Sequence, residues 1–168
     1  MEMDPSYEIV IKPFRNWRNR TVIKAIADID RQAFDPSWTE LDIRRLLQDA
    51  NYAILTAHHE KQVVGYLVYS GRQGCFQIIN ITVHPDHRRR HVGSDLVDAL
   101  VTYCSQVRNK FMIFAEVRER NLRAQVFFRS LRFRWEQTFP GYFQDNNEDA
   151  YLLILRVPEA PPELSPSR

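Results

Sequence analysis

Residues 75–103 change their hydrophobic period once, and that change constrains the fold more than any other feature of the chain. Cys75 to Val83 is an apolar and β-branched run of strand length. It stops at His84-Pro85-Asp86, where Pro85 removes a ladder donor and Asp86 favours a turn. Beyond the turn, Val92, Leu96, Ala99, Leu100 and Tyr103 recur at helical spacing, with Asp95, Asp98 and Thr102 on the other face. The segment therefore predicts a buried strand, a turn and an amphipathic helix that starts near His91 to Gly93. Arg88, Arg89 and Arg90 occupy the turn. The free N–H groups of the helix start, its positive dipole end and three arginines converge on one place, which suits a pyrophosphate. Gly93 allows close backbone approach. Alone, the arginine run reads as a solvated loop or a nucleic-acid patch, and its position between a strand and a helix start is what points to phosphate.

Around this segment the pattern continues to alternate. Tyr7 to Phe14 reads as a strand, and Thr21, Ile23, Ala25, Ile26, Ile29 and Phe34 form a helical stripe broken by Asp35-Pro36-Ser37. Thr39 with Asp42 resembles a capping box that opens a helix through Leu41, Ile43, Leu46 and Leu47. Ala53 to Ala57 and Val63 to Ser70 are strands joined by His58-His59-Glu60-Lys61, and Gly71 to Gly74 turns into the run at Cys75. After a helix from Val92 to Val107, Phe111 to Val117 is a strand, Asn121 to Leu131 a helix, and Phe133 to Thr138 and Glu148 to Leu155 are closing strands. The order is β-α-α-β-β-β-α-β-α-β-β.

A chain of 168 residues with 44% hydrophobic and 12% aromatic content supports one folded domain, expected over residues 7–157. Pro158 to Arg168 holds four prolines and two serines and is expected to be a flexible tail. A net charge of +2 confines the basic character to the Arg88 cluster and to Arg118–Arg134, against a general nucleic-acid binder. Cys75 and Cys104, with no secretory signal preceding them, fit reduced thiols in a cytoplasmic protein. No apolar stretch is long enough to span a bilayer. His84, His87 and His91 flank a proline turn rather than one helix face, so no metal is expected.

The element order, together with Asn80–Leu100, resembles the GNAT acetyltransferases, whose phosphate loop reads Gln/Arg-x-x-Gly-x-Gly/Ala and is matched here by Arg88-Arg89-Arg90-His91-Val92-Gly93. Three further stretches are similar to the RimI type, N-terminal acetyltransferases that modify the alanine amino end of a small-subunit ribosomal protein. They are Phe34-Asp-Pro-Ser-Trp-Thr39, Glu116-Val-Arg-Glu-Arg-Asn121, and Gly141-Tyr-Phe with Glu148-Asp-Ala150. The resemblance covers Tyr7 to Leu155. It implies a mixed α/β (α+β) GNAT fold, with a central, mostly antiparallel sheet splayed at the cofactor site between flanking helices.

It also implies acetyl-CoA as co-substrate. Ile81, Thr82 and Val83 would hold the pantetheine arm through their backbone, as a cofactor adds itself to a sheet edge. Arg88, Arg89, Arg90, His91, Val92, Gly93 and Ser94 would wrap the pyrophosphate, and Asn121 would bond the arm, a role compatible with capping the following helix. Glu116 matches the family's base, needed because an α-amine of pKa about 7.7–8.0 is mostly protonated at neutral pH. Its alternative is an ion pair with Arg118 or another arginine. Phe128 stands on the cofactor side where RimI-type enzymes carry the tyrosine that protonates the leaving thiolate, and Tyr142 is the candidate substitute, or else a packed loop aromatic. His91 and Arg132 occupy positions where the family has glycine. Phe34, Trp38 and the loop at Gly141-Tyr142 would border the acceptor groove, unless they only pack.

The expected activity is acetyl transfer from acetyl-CoA to a primary amine, foremost a protein or peptide amino terminus such as that of a ribosomal protein. The alternatives are acetylation of a small-molecule amine, an acyl-CoA-binding module with little catalysis, and nucleic-acid binding through the arginine turn, which lacks interleaved aromatics.

Overall fold

In a computed structural model, which describes residues 7–72, 74–106 and 111–157, Cys75–Val83 is a strand over its full predicted length. It is the fourth of seven. The strands are β1 (Val10–Phe14), β2 (Tyr52–His59), β3 (Gln62–Arg72), β4 (Cys75–Val83), β5 (Phe111–Arg118), β6 (Arg134–Phe143) and β7 (Glu148–Val157), with helices α1 (Arg20–Arg31), α2 (Glu40–Gln48), α3 (Val92–Gln106) and α4 (Leu122–Ser130). The order along the chain is the predicted one, with a short 3-10 turn, Pro85–His87, added after β4. Val107 and the expected tail from Pro158 lie outside the described residues.

The strands form one open sheet in the order β1-β2-β3-β4-β5-β7-β6. Neighbours run antiparallel except β4 and β5, which are parallel. A parallel pair needs a long crossover, and α3 supplies it, so the turn before α3 lies at the carboxyl end of β4 beside β5. Helices cover both faces. Leu96, Val97, Leu100 and Cys104 of α3 and Phe128 of α4 pack with Ala53, Leu67, Ile113, Ala115 and Val117 on one face. Ile23, Ile26 and Ile29 of α1 and Ile43 of α2 pack with Ile54, Tyr66 and Val68 on the other. Burial on both sides explains why β2 and β4 read as near-continuous apolar runs.

Local chemistry sets several boundaries. The Thr39–Asp42 capping box forms as expected, with Asp42 N donating to Thr39 Oγ1 at 3.2 Å and Thr39 N to Asp42 Oδ2 at 2.9 Å. The β2–β3 hairpin is tighter than predicted: the strands run on through His59 and from Gln62, and only Glu60 (φ 47°) and Lys61 (φ 72°) turn, both left-handed as a two-residue hairpin requires. Tyr7 falls outside β1, and Phe34 falls beyond α1, half exposed.

Arg132 closes α4 at φ 68°, with the Phe133 N–H donating to Phe128 O at 3.1 Å in the helix-ending pattern that favours glycine. An L side chain there costs about 1 kcal/mol. Arg132→Gly is therefore expected to raise the thermal midpoint by about 2–4 °C. An unchanged or lower midpoint in calorimetry would contradict it.

Candidate active site

A bulge in β4 opens the sheet. Tyr69 pairs with Ile78 and Val68 with Asn80, so Ile79 is an extra residue opposite β3. An extra residue bends its strand and ends regular pairing. The parallel β4–β5 ladder stops at that point, its last pair being Ile78 with Ala115. Ile81–Val83 then keep β3 on one side and have no strand on the other, while Glu116–Arg118 keep only β7. A wedge with free backbone edges thus widens toward the amino end of α3.

The turn that closes this wedge is held by its own backbone. The His84 N–H donates to Val64 O at 2.8 Å and His87 N–H to His84 O at 2.9 Å. Arg89 (φ 61°) and His91 (φ 62°) are both left-handed, a conformation more accessible to histidine than to most non-glycine residues. The first helical bond runs from Asp95 N–H to His91 O at 2.9 Å. The N–H groups of Val92, Gly93 and Ser94 therefore precede any intrahelical acceptor and form a concave donor surface.

Two of the three arginine side chains make contacts within the protein. Arg88 Nε donates to Val83 O at 3.0 Å, and the Arg90 guanidinium lies 4.6 Å over the Tyr7 ring. Tyr7 shares a 2.7 Å hydrogen bond with His87 Nδ1. Burial, then the nearby His59, His84 and Arg90, holds His87 below the usual imidazole range and so neutral at pH 7. The turn uses these two arginines to hold its own shape, and its free N–H groups are what it presents to an anion. Among the described residues no cluster of histidine, cysteine and carboxylate is arranged to hold a metal ion.

Gly93 admits something other than a ligand in the free chain: a Cβ there would stand 3.1 Å from Phe127 Cε2. A Cβ on Gly65 would lie 3.1 Å from Thr82 O and 3.3 Å from Val92 Cγ1, so that glycine lets β3 and β4 close on the first turn of α3. A wedge of unpaired strand edge ending in a nest of N–H groups fits a long amide-bearing arm joined to a pyrophosphate, which is the build of acetyl-CoA.

Glu116 is the first residue of β5 beyond the parallel ladder. Ala115 and Val117 enter the α3-side core, so strand alternation turns Glu116 to the opposite face. Its Oε2 accepts the Tyr142 hydroxyl at 2.7 Å and Gln77 Nε2 at 3.1 Å. The ion pair with Arg118 does not form. Arg118 instead binds Asp145 at 2.9 Å and Glu148 at 3.3 Å, and its guanidinium lies 3.9 Å over the Phe143 ring.

That arrangement fixes the β6–β7 hairpin. Glu148 is buried and accepts from Arg120 N–H at 2.7 Å and Asn146 Nδ2 at 3.0 Å, contacts that hold its carboxyl below the usual range. Gly141, at φ 60°, donates its N–H to Asp149 Oδ1 at 2.8 Å. A Cβ at Gly141 would stand 2.8 Å from Asn147 Oδ1, so the turn needs glycine. Tyr142, the next residue, is thereby held over Glu116 while remaining 46% exposed. The hydrogen bond to Glu116, then burial, raises the Tyr142 pKa, so the phenol stays protonated at neutral pH and can act as a proton donor.

The other expected residues are placed as follows. Asn121 caps α4, its Oδ1 accepting from Ala124 N–H at 3.0 Å. Its Nδ2 donates to no described residue. Phe128 is buried, with its ring centroid 5.0 Å from that of Phe133. Trp38 packs part-buried on the α1–α2 face, whereas Phe34 is half exposed.

Two participants escape the sequence reading. Gln77 reaches Glu116 from β4 across 39 residues and also lines a 290 Å³ cavity with Tyr52, Ser70, Cys75 and Phe114. Asp30 hides within the apolar stripe of α1 and is 1% exposed. The one available signal was its helical phase, which places Asp30 beside Ile23, Ile26 and Ile29 rather than on the charged face.

The sequence model of the Acetyltransferase (GNAT) family matches residues 23–133. An uncharacterized N-acetyltransferase of Methanocaldococcus jannaschii is 29% identical over 138 residues, covering 82% of this chain and 88% of that one. A Bacillus subtilis protein named for alanine N-acetylation of ribosomal protein bS18 is 25% identical over 138 residues, covering 82% and 91%. The crystal structure of the ribosomal-protein-S18-alanine N-acetyltransferase from Escherichia coli has the same fold, with a TM-score of 0.75 at 22% identity over 94% of this chain and 99% of that one.

Proposed function

The chain belongs to the acetyltransferase (GNAT) family and is an acetyl-CoA-dependent N-acetyltransferase, and from that premise we propose that its acceptor is the α-amine of a protein or peptide amino terminus. The observation that carries acetylation of an amine at this site is the 2.7 Å hydrogen bond between Tyr142 and Glu116, a proton donor and a carboxylate held at the open end of the wedge. The names of the Bacillus subtilis and Escherichia coli relatives support an amino-terminal acceptor. No helix among the described residues is long and apolar enough to cross a membrane.

When bound, acetyl-CoA supplies an activated acyl carbon and a thiolate leaving group. Backbone edges at Ile81, Thr82 and Val83 would receive the arm, the N–H groups of Arg89 to Ser94 would receive the pyrophosphate, and Asn121 Nδ2 would bond the arm. Glu116 accepts the proton of the attacking amine, and Tyr142 gives its phenolic proton to the departing sulfur. The hydrogen bond between the two then returns the proton from Glu116 to Tyr142 oxygen. One proton has moved from amine to thiol, and both side chains regain their starting states.

The test is a panel of Ala-starting peptides, the same peptides blocked at the α-amine, and small primary amines, each incubated with acetyl-CoA. Free-amino peptides are expected to release CoA and gain one acetyl group, with kcat/KM at least about tenfold above any small amine. Exclusive acetylation of small amines would overturn the peptide reading.

A further inference from the structure

One buried carboxylate ties the Phe34–Trp38 loop to the bulge that opens the wedge. Asp30 lies in the last turn of α1 and is 1% exposed. Its Oδ2 accepts the Trp38 backbone N–H at 2.6 Å. Its Oδ1 accepts the Tyr66 hydroxyl from β3 and Asn80 Nδ2 from β4 at 3.0 Å, and Asn80 also donates to the Tyr66 oxygen at 3.1 Å. No cation pairs with Asp30 among the described residues. Burial, then the hydrogen bond to Asp30, raises the Tyr66 pKa, so that phenol is locked as a donor.

The cost of this arrangement says what it is for. A carboxylate buried without a cation gives up its hydration, whereas a leucine at this phase of α1 would only add to the core. Three donors offset the loss, and they come from three places: the loop after α1, strand β3, and the residue that follows the β4 bulge. Asn80 immediately precedes the Ile81–Val83 edge, and Trp38 lies in the loop expected to border the acceptor.

We propose that Asp30 is a positioning residue for acetyl transfer, holding the acceptor loop and the bulged strand in one register so that the amine meets the acyl carbon. It touches neither substrate and acts through Trp38 and Asn80. The inference rests on the proposed acetyl transfer and on the Phe34–Trp38 loop bordering the acceptor, as the sequence resemblance implies. A misplacement of about 1 Å between reacting groups can cost about 10²-fold, so a tether of this kind matters well beyond its contribution to stability.

The test compares Asp30→Ala, Asp30→Asn and Tyr66→Phe, using whichever amine the wild type acetylates. Asparagine keeps the volume but offers one acceptor oxygen where Asp30 offers two, so the loop arm and the sheet arm cannot both be met unchanged. Tyr66→Phe removes only a sheet-side donor and leaves the Trp38 tether. Both Asp30 variants are expected to lower kcat and raise the acceptor KM, together costing about tenfold or more in kcat/KM for Asp30→Ala, while the KM for acetyl-CoA stays within about twofold. Amide exchange across residues 34–38 should accelerate in parallel. Tyr66→Phe should leave the acceptor KM within about threefold even at a matched loss of thermal midpoint. If Asp30→Ala does not fold, Asp30→Asn with the exchange measurement decides. Equal changes in both KM values, or unchanged exchange at residues 34–38 in the Asp30 variants, would overturn the proposal. A wild type that takes only small amines would retire the peptide acceptor and leave this test intact.

Discussion

Glu116→Gln is expected to lower kcat/KM for the acceptor by about 10²–10⁴-fold and to leave the binding of acetyl-CoA within about twofold. The substitution keeps the shape of the side chain and its place at the end of the parallel ladder. It can still accept hydrogen bonds from Tyr142 and Gln77, which now meet Glu116 at 2.7 and 3.1 Å, so the fold and the wedge should survive. What is lost is the ability to take a proton. An α-amine of pKa about 7.7–8.0 is mostly protonated at neutral pH, so the wild-type rate should climb as the free amine accumulates. The variant should respond more steeply to pH, because solvent must then accept the proton that Glu116 normally takes. Steady-state rates with matched circular dichroism and calorimetric binding of acetyl-CoA provide the check, and equal turnover would remove Glu116 from the chemistry.

The second large effect is at Tyr142. Tyr142→Phe removes the only hydroxyl on a described residue that donates to Glu116, and kcat should fall by about 10²-fold. That is the lower end of the range for acid–base assistance. A thiol of pKa about 8.5 is already a fair leaving group near neutrality, so departure without an acid is slow rather than blocked. The drop should appear in kcat more than in either KM, because the hydroxyl acts as the C–S bond breaks.

Phe128 offers the contrast. Its ring is buried between Phe127 and Phe133, so Phe128→Tyr adds a hydroxyl to an apolar site and should cost about 1–3 kcal/mol of stability. With Tyr142 intact, it should bring no comparable gain in rate. A large gain would place the missing acid at residue 128.

The parts of this site that were legible in the sequence are those written locally. The β4–turn–α3 unit could be read because period, proline and glycine all change within about twenty residues. The Thr39–Asp42 box and the Asn121 cap could be read because a cap and its helix are adjacent. The bulge at Ile79 could not. No glycine marks it, and an extra residue exists only relative to the register of β3. Gln77 and Asp30 escaped for the same reason, since their partners lie 36 to 50 residues away or in a loop eight residues on.

Strand ends erred where pairing outweighed propensity. β6 was expected to end at Thr138 and runs to Phe143 through Pro140, which an edge strand tolerates because its outer donors are not needed. That extension carries Tyr142 to Glu116. The contacts of the arginine run were not legible either: a run of like charges does not announce that Arg88 bonds Val83 O and Arg90 covers the Tyr7 ring.

The central claim is that Glu116 and Tyr142 work as one proton-transfer unit, and a double-variant cycle tests it most directly. Rates of acetyl transfer are measured for Glu116→Gln, Tyr142→Phe and the two combined. If the 2.7 Å hydrogen bond is the relay that returns the proton, removing either end disables it, and the combined variant should be no more than about threefold slower than the slower single one. Rate losses that multiply across the pair would contradict the account, because they would show two groups acting independently with no relay between them.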